Sequence, residues 1–342
     1  MKLYFIQEHL ERKVYHGGIG NVDAEKIFLQ KGFKAVLFPY HYDFSLKAKL
    51  GRLWYLLKMF ITLPAGCYVI FQFPLYARMS KLLIAALKYR RSVRIICLVM
   101  DIDGIKDGND VLLEKEIAEL NGYNYFIVHN SAMKQWLLSK TNPVQVSCID
   151  FFDFLTVPVR TTREKSFEVA FAGNLDKSGF LGKLGLLNEH SPQLIFNIYG
   201  KNPAAAITAQ ANVWYKGFTE PYLMPGMLQG SFGLVWDGGL LENPTDVYGN
   251  YMRFISHHKL SLYIVSGMPV IVWKEGAAAA IVDHYKIGIA VNSLYELENA
   301  ISIVSEASYQ QMASNARNLA SSISRGERLG NAIDELLTAK RF

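Results

Sequence analysis

Two groups of residues in this 342-residue chain are of types that do chemistry, and they lie far apart in sequence. The first is His257-His258-Lys259. There a loop holding Gly249, Asn250, Tyr251 and Arg253 gives way to an apolar run with helical spacing, Leu260, Leu262, Tyr263, Ile264 and Val265. A helix start offers unpaired backbone N–H groups and the positive end of the dipole, so these side chains describe an anion site suited to phosphate. A polar helix start without a ligand is the plain alternative. The second group is Asp101-Ile102-Asp103, directly after the run VRIICLVM (93–100). Two carboxylates with one residue between them can hold a divalent cation through diphosphate oxygens. Alternatively, one of them can act as a general base at the C-terminal end of a parallel strand, where ligands of open α/β sheets bind. Asp101 is the leading candidate for that base and Asp103 a helper, with helix capping as the alternative.

Two glycine-containing loops add to this set. FAGNLDKSGF (171–180) reads as strand, turn and helix, with Gly173 and Asn174 at the turn and Lys177 in the first helical turn. Lysine is unfavourable there on dipole grounds, and a nearby anion would explain it. Near the start of the chain, HGGIGNVDAEKIFLQKGF (16–33) reads as a loop and then a helix, with Asp23 capping or beginning the helix and Gly32 ending it. Gly17, Gly18, Asn21 and Asp23 are candidate ligand contacts there, since small residues let a ligand approach the backbone. The loop matches neither a dinucleotide fingerprint nor a P-loop.

Elements must hold these groups in place. Short apolar runs alternate with helical patterns throughout, as in an α/β protein. Predicted strands include Leu3–Ile6, 35–39, 67–73, 93–100, Tyr125–Val128 and 146–149 in the first half. The second half supplies Glu168–Ala172, Ile195–Tyr199, Val213–Gly217, 232–236, 269–273 and 288–291. The helix before 269–273 ends at Ser266-Gly267, because glycine accepts the left-handed conformation a helix end requires. Ser131 is the expected cap of a helix after the strand Tyr125–Val128. The stretch 53–76 is nearly all apolar, but Pro64 and Gly66 divide it into a helix near 45–62 and a strand, not a membrane span. The apolar residues of that helix are expected to pack in the core.

A 342-residue chain that is 51% hydrophobic and 19% charged suits two domains. They are expected at 1–155 and 166–325, joined by the polar linker 156–165, with a C-terminal helix (326–342) returning to the first. Residues 1–7 are too brief for a signal-peptide core, and Cys67, Cys97 and Cys148 sit apart in apolar runs, which points to a reducing cytoplasm. Between Asp43 and Asp101 there are ten basic residues and no acidic one. That block is a candidate for peripheral contact with the anionic inner face of a membrane. Nucleic-acid motifs are absent, and a homo-oligomer stays open.

The stretch GNYMRFISHHKLSLYIVSGMPVIVWK (249–274) resembles the signature region of bacterial β-1,6-galactofuranosyltransferases. It is similar as well to the glucosyltransferases that extend O-linked glycans on streptococcal adhesins. YFIVHN (125–130) and the loop at 171–180 carry the resemblance further along the chain. The resemblance implies a GT-B fold, two Rossmann-like domains facing a central cleft, with a UDP-sugar in the second. It implies donor contacts from Gly173, Asn174, Lys177, Tyr215, Asn250, Tyr251, His258 and Lys259. It implies too that the loop with Gly17, Gly18, Asn21 and Asp23 faces the cleft. Lys177 stands where the glucosyltransferase relatives carry an arginine, and Tyr215 matches a tyrosine stacked near the uracil or ribose. It also implies an inverting hexosyl transfer, galactofuranose in preference to glucose, onto a growing, lipid-linked surface glycan of O-antigen or capsule type. Asp101 would act as base and Lys259 would neutralise the departing UDP, with no metal or other cofactor. Met100 departs from the family, which has a histidine there, so that histidine's role does not carry over. The alternatives are a glucosyltransferase acting on protein-linked glycans, a transferase using Asp101 and Asp103 to hold a metal, an epimerase, and a non-catalytic UDP-binding scaffold partner.

Overall fold

The computed structural model describes residues 1–10, 18–39, 43–90 and 92–338. Its strands form two parallel sheets of six. The first contains β1 (Leu3–Ile6), β2 (Lys34–Val36), β3 (Tyr68–Phe73), β4 (Arg94–Val99), β5 (Tyr125–Val128) and β6 (Gln145–Cys148), in the order β2-β1-β3-β4-β5-β6. The second contains β7 (Glu168–Ala172), β8 (Ile195–Tyr199), β9 (Val213–Gly217), β10 (Phe232–Val235), β11 (Val270–Trp273) and β12 (Gly288–Val291). Its order, β12-β11-β10-β7-β8-β9, is that of a dinucleotide-binding sheet, with the topological switch between β7 and β10. Ligands of such sheets bind beyond the strand ends at that switch.

The inner strands are buried along their length, which is why they read as continuous apolar runs. The helix Glu327–Thr338 leaves the second half and packs on the first. Leu329, Ile333 and Leu336 join a cluster with Phe5, Phe28 and Ile127. Asp153 receives the backbone N–H groups of Arg328 and Leu329 at 3.1 and 2.7 Å, fixing the start of that helix.

Several local expectations change. The helix Ile19–Gln30 begins after Gly18, and Asp23 lies in its second turn, fully buried, not at the cap. Gly32 ends it as expected, with φ +80°. Asn130, not Ser131, caps the helix Ser131–Lys140, accepting from the Met133 N–H at 3.0 Å. The expected helix after Gly173 and Asn174 is two 3-10 helices, Leu175–Lys177 and Gly179–Leu187, and not an α-helix. The helical pattern at 294–321 breaks into a 3-10 turn and two helices, Leu297–Ser302 and Glu306–Ser324. The loop before His258 contains a short helix, Val247–Tyr251, capped by Asp246.

The largest change concerns the helix Leu46–Thr62. Ser45 caps it as a helix near 45–62 requires, yet Ala48 is its one buried residue. Tyr55, Leu56, Met59 and Phe60 lean on the core, while the other large apolar side chains face out. The expectation of core packing fails because consecutive apolar residues on a helix point all round it, and a single sheet face covers one side.

Candidate active site

The switch between β7 and β10 is occupied by charge. β10 runs through Trp236 into Asp237, whose carboxylate meets Lys259 Nζ at 2.6 Å through Oδ1 and His257 Nε2 at 2.9 Å through Oδ2. Lys259 also donates to the Trp236 carbonyl at 3.1 Å. Burial alone would raise the Asp237 pKa, but Lys259 and His257 outweigh it and hold the carboxyl well below the ordinary range. Lys259 is the second residue of the helix His258–Val265, whose first N–H groups lack intrahelical acceptors. That helix closes as the sequence requires, at Gly267 with φ +65°.

Across from it, at the end of β7, Gly173 donates its N–H to the Tyr199 carbonyl at 3.1 Å. A Cβ on Gly173 would come within 2.9 Å of Lys259 Cε, so glycine makes room for the lysine. Asn174 caps the following 3-10 turn, and Lys177 ends it with its ammonium 5.6 Å from the Tyr248 ring centre.

From the first half, β4 delivers Asp101. Its carboxylate accepts from Lys106 Nζ at 3.1 Å and from the Tyr251 hydroxyl at 3.1 Å. The same hydroxyl accepts the Ile102 N–H at 2.9 Å. Lys106 pairs with Asp103 as well, from the next turn of the helix Asp103–Lys106. Burial raises the Asp101 pKa against the pull of Lys106, while its side chain keeps 38% exposure toward the cleft. For Lys106, burial acts to lower the pKa, but Asp101 and Asp103 prevail and raise it. Asp101, Lys106, Asn174, Lys177, Asp237, Tyr248, Tyr251, Ile255, His257 and Lys259 line one cavity of about 180 Å³ between the two halves.

Of the residues singled out from sequence, Asp101, Asn174, Lys177, Tyr251 and Lys259 therefore meet at this cavity, with Gly173 packed on Lys259. Others stand elsewhere. His258 is buried against Phe154, with ring centres 4.9 Å apart, and burial lowers its pKa; the adjacent His257 takes the cleft position. Asn250 is exposed and accepts from Arg253 Nε at 3.1 Å. Tyr215, on edge strand β9, is 38% exposed and donates to the Gly200 carbonyl at 2.8 Å. Asp23 accepts from the Tyr222 hydroxyl at 2.7 Å, from Lys26 at 2.9 Å and from the Leu155 N–H at 2.9 Å, a buried clasp between the halves. Asn21 offers its carbonyl to Gln72, Gly18 precedes the first helix, and Gly17 lies outside the described residues.

Lys106, Asp237 and Tyr248 were not foreseen as site residues, and His257 was named only as part of the helix start, not among the donor contacts. Asp237 follows an apolar strand just as Asp101 does, so the same strand-end rule could have found it. His257 required knowing where the helix begins, one residue after it.

Residues 4–146 match the family model described as the glucosyltransferase 3-like N-terminal domain, and residues 169–336 match its C-terminal-domain counterpart. The chain is 27% identical over 254 residues to the β-1,6-galactofuranosyltransferase WbbI of Escherichia coli, spanning 71% of each chain. It is 26% identical over 307 residues to glucosyltransferase 3 of Streptococcus gordonii, spanning 87% of each. In fold it is similar to sucrose-phosphate synthase of Thermosynechococcus elongatus, with TM-score 0.67 and 14% identity, over 99% of this chain and 100% of that one. It is also similar to Anabaena HepE, solved with UDP and glucose, with TM-score 0.63 and 15% identity over the same shares. Two parallel sheets about a cleft, with these neighbours, are the GT-B architecture.

Proposed function

Because the chain belongs to the glucosyltransferase 3-like family and is a glycosyltransferase of GT-B architecture, we propose that its cleft binds a UDP-sugar and transfers the hexose with inversion to a glycan hydroxyl. The observation that carries this reading is the cationic floor at the β7–β10 switch, with Lys259 at a helix start and Lys177 on the facing turn. Departure of UDP builds negative charge on the β-phosphate, and donors fixed beforehand lower the barrier without reorganising during the reaction. Asp237 does that fixing: it holds the Lys259 ammonium and the His257 ring before any ligand arrives.

On the opposite wall, Asp101 takes the proton of the acceptor hydroxyl. Its raised pKa makes it a stronger base than a free carboxylate, and Tyr251 and Lys106 aim it. Base and leaving-group cations on facing walls suit in-line attack. Lys106 bridges Asp101 and Asp103, so a divalent ion would have to displace an ammonium already seated between them. This supports a metal-independent reaction.

For the donor we favour UDP-galactofuranose, since the relative WbbI is named as a galactofuranosyltransferase. The acceptor on this reading is a growing surface glycan. UDP-glucose is the second reading, favoured by the longer match to glucosyltransferase 3 of Streptococcus gordonii. The test is UDP release from UDP-galactofuranose, UDP-galactopyranose and UDP-glucose, each with and without EDTA. Release selective for the furanose and unchanged by EDTA is the expected result. Preference for UDP-glucose would move the chain to the second reading. Loss of activity with EDTA would overturn the metal-independent site, and UDP binding without release from any donor, even with glycan acceptors supplied, would favour a scaffold.

A further inference from the structure

The helix Leu46–Thr62 carries an apolar stripe that nothing among the described residues covers. Leu46, Leu50, Leu53, Trp54, Leu57 and Ile61 are between 48% and 73% exposed. Their spacing confines them to an arc of about 100° over roughly four turns, which is the pattern of a helix with one buried face. The side chains that do pack on the core, Tyr55, Leu56, Met59 and Phe60, lie outside this arc, with Phe60 at its border. Soluble surfaces rarely carry a continuous apolar patch of this kind without a partner.

Charge identifies the partner. On the helical wheel the exposed Lys47 and Lys58 flank the stripe on one side and the exposed Lys49 on the other. The ammonium of Lys58 stands 5.2 Å from the Trp54 ring centre. No acidic residue occurs between Asp43 and Asp101 to offset them. Apolar side chains bordered by lysines, with tryptophan at the edge, suit a helix lying in the plane of an anionic lipid surface. A second copy of the chain fits less well, because a two-fold contact would bring this uncompensated basic surface against itself.

We propose that this helix docks the protein on an anionic membrane, the stripe entering the headgroup boundary and the lysines meeting lipid phosphates. Among the described residues no helix is long and apolar enough to cross a membrane, and in-plane docking requires none. The helix connects β2 to β3 across a parallel sheet and so runs antiparallel to the strands. Its first turn therefore lies on the side of the sheet where β4 delivers Asp101. Docking there would bring the acceptor wall of the cleft toward the lipid surface. The inference does not depend on the identity of the donor.

Co-sedimentation tests it, with vesicles of phosphatidylcholine alone and of phosphatidylcholine mixed with phosphatidylglycerol. Three proteins are compared: wild type, Leu53→Glu/Leu57→Glu, and Lys47→Ala/Lys49→Ala/Lys58→Ala. The substituted side chains are exposed, so thermal unfolding midpoints should match wild type and certify the fold without any ligand. Wild type should pellet with the anionic vesicles and not with phosphatidylcholine alone, less so as salt rises. The glutamate variant should lose binding altogether, and the alanine variant should bind about 100-fold more weakly. Absence of wild-type binding to anionic vesicles would overturn the proposal. A wild-type dimer in light scattering that the glutamate variant dissociates would overturn it too, since a second copy would then cover the stripe.

Discussion

Asp101 is aimed by two side chains that come from opposite sides of the cleft, and this sets a measurable chemistry. Tyr251 donates to its carboxylate and thereby favours the ionised form, as Lys106 does by charge. Tyr251→Phe removes that donor, so the Asp101 pKa should rise further, and a base is active only when deprotonated. The acid limb of the kcat/KM profile should therefore move to higher pH. The substitution also leaves the buried Ile102 N–H without its acceptor, at a cost of about 1–3 kcal/mol in stability. An unmoved limb in a folded variant would mean that Asp101 is not the base. Asp101 was legible because a carboxylate after an apolar strand has few other places to go. The role of Tyr251 was not, because its partner is 150 residues away and nothing local signals it.

At the scale of elements, the unit after β5 and the loop before the helix His258–Val265 form a joint. His129 donates through Nε2 to the Met100 carbonyl at 3.1 Å, and its Nδ1 accepts the Ser256 N–H at 3.3 Å. Asn130 donates to Ser256 Oγ at 3.0 Å. Burial lowers the His129 pKa to about 3, so the ring stays neutral in the fold while it would protonate near 6.5 when unfolded. The unfolded state thus binds more protons across that window, and stability falls as pH drops from about 6.5 toward 3. The slope this ring contributes is at most about 1.4 kcal/mol per pH unit. His129→Gln keeps an N–H donor and removes the titration. Urea unfolding across this range should give a flatter pH dependence for the variant, and identical slopes would contradict the account. The strands were readable here because both faces are covered and the apolar runs are unbroken. Helix starts were less readable: one residue decided whether His257 or His258 faced the cleft, and Asn130 took the cap from Ser131. The helix Leu46–Thr62 was found correctly, but its sequence does not say which of its apolar sides the sheet would cover.

Taken as a whole, the molecule joins two sheets through residues of which the sequence reading had placed Asp23, Tyr251 and Asp101 at the cleft. Asp23, Tyr222 and Leu155 clasp one side, and Tyr251 with Asp101 and Ile102 closes another. Between them the strand ends leave a space with a carboxylate on one wall and lysines on the other. Everything proposed about the reaction depends on that second wall accepting a nucleoside diphosphate. Calorimetric titration of UDP into wild type and Lys259→Ala, both in EDTA, tests this most directly. The account predicts binding to wild type without metal, weakened at least 10-fold by loss of a charge-assisted contact worth about 1.5–3 kcal/mol. Equal affinity for the two proteins, or no binding to either, would contradict it.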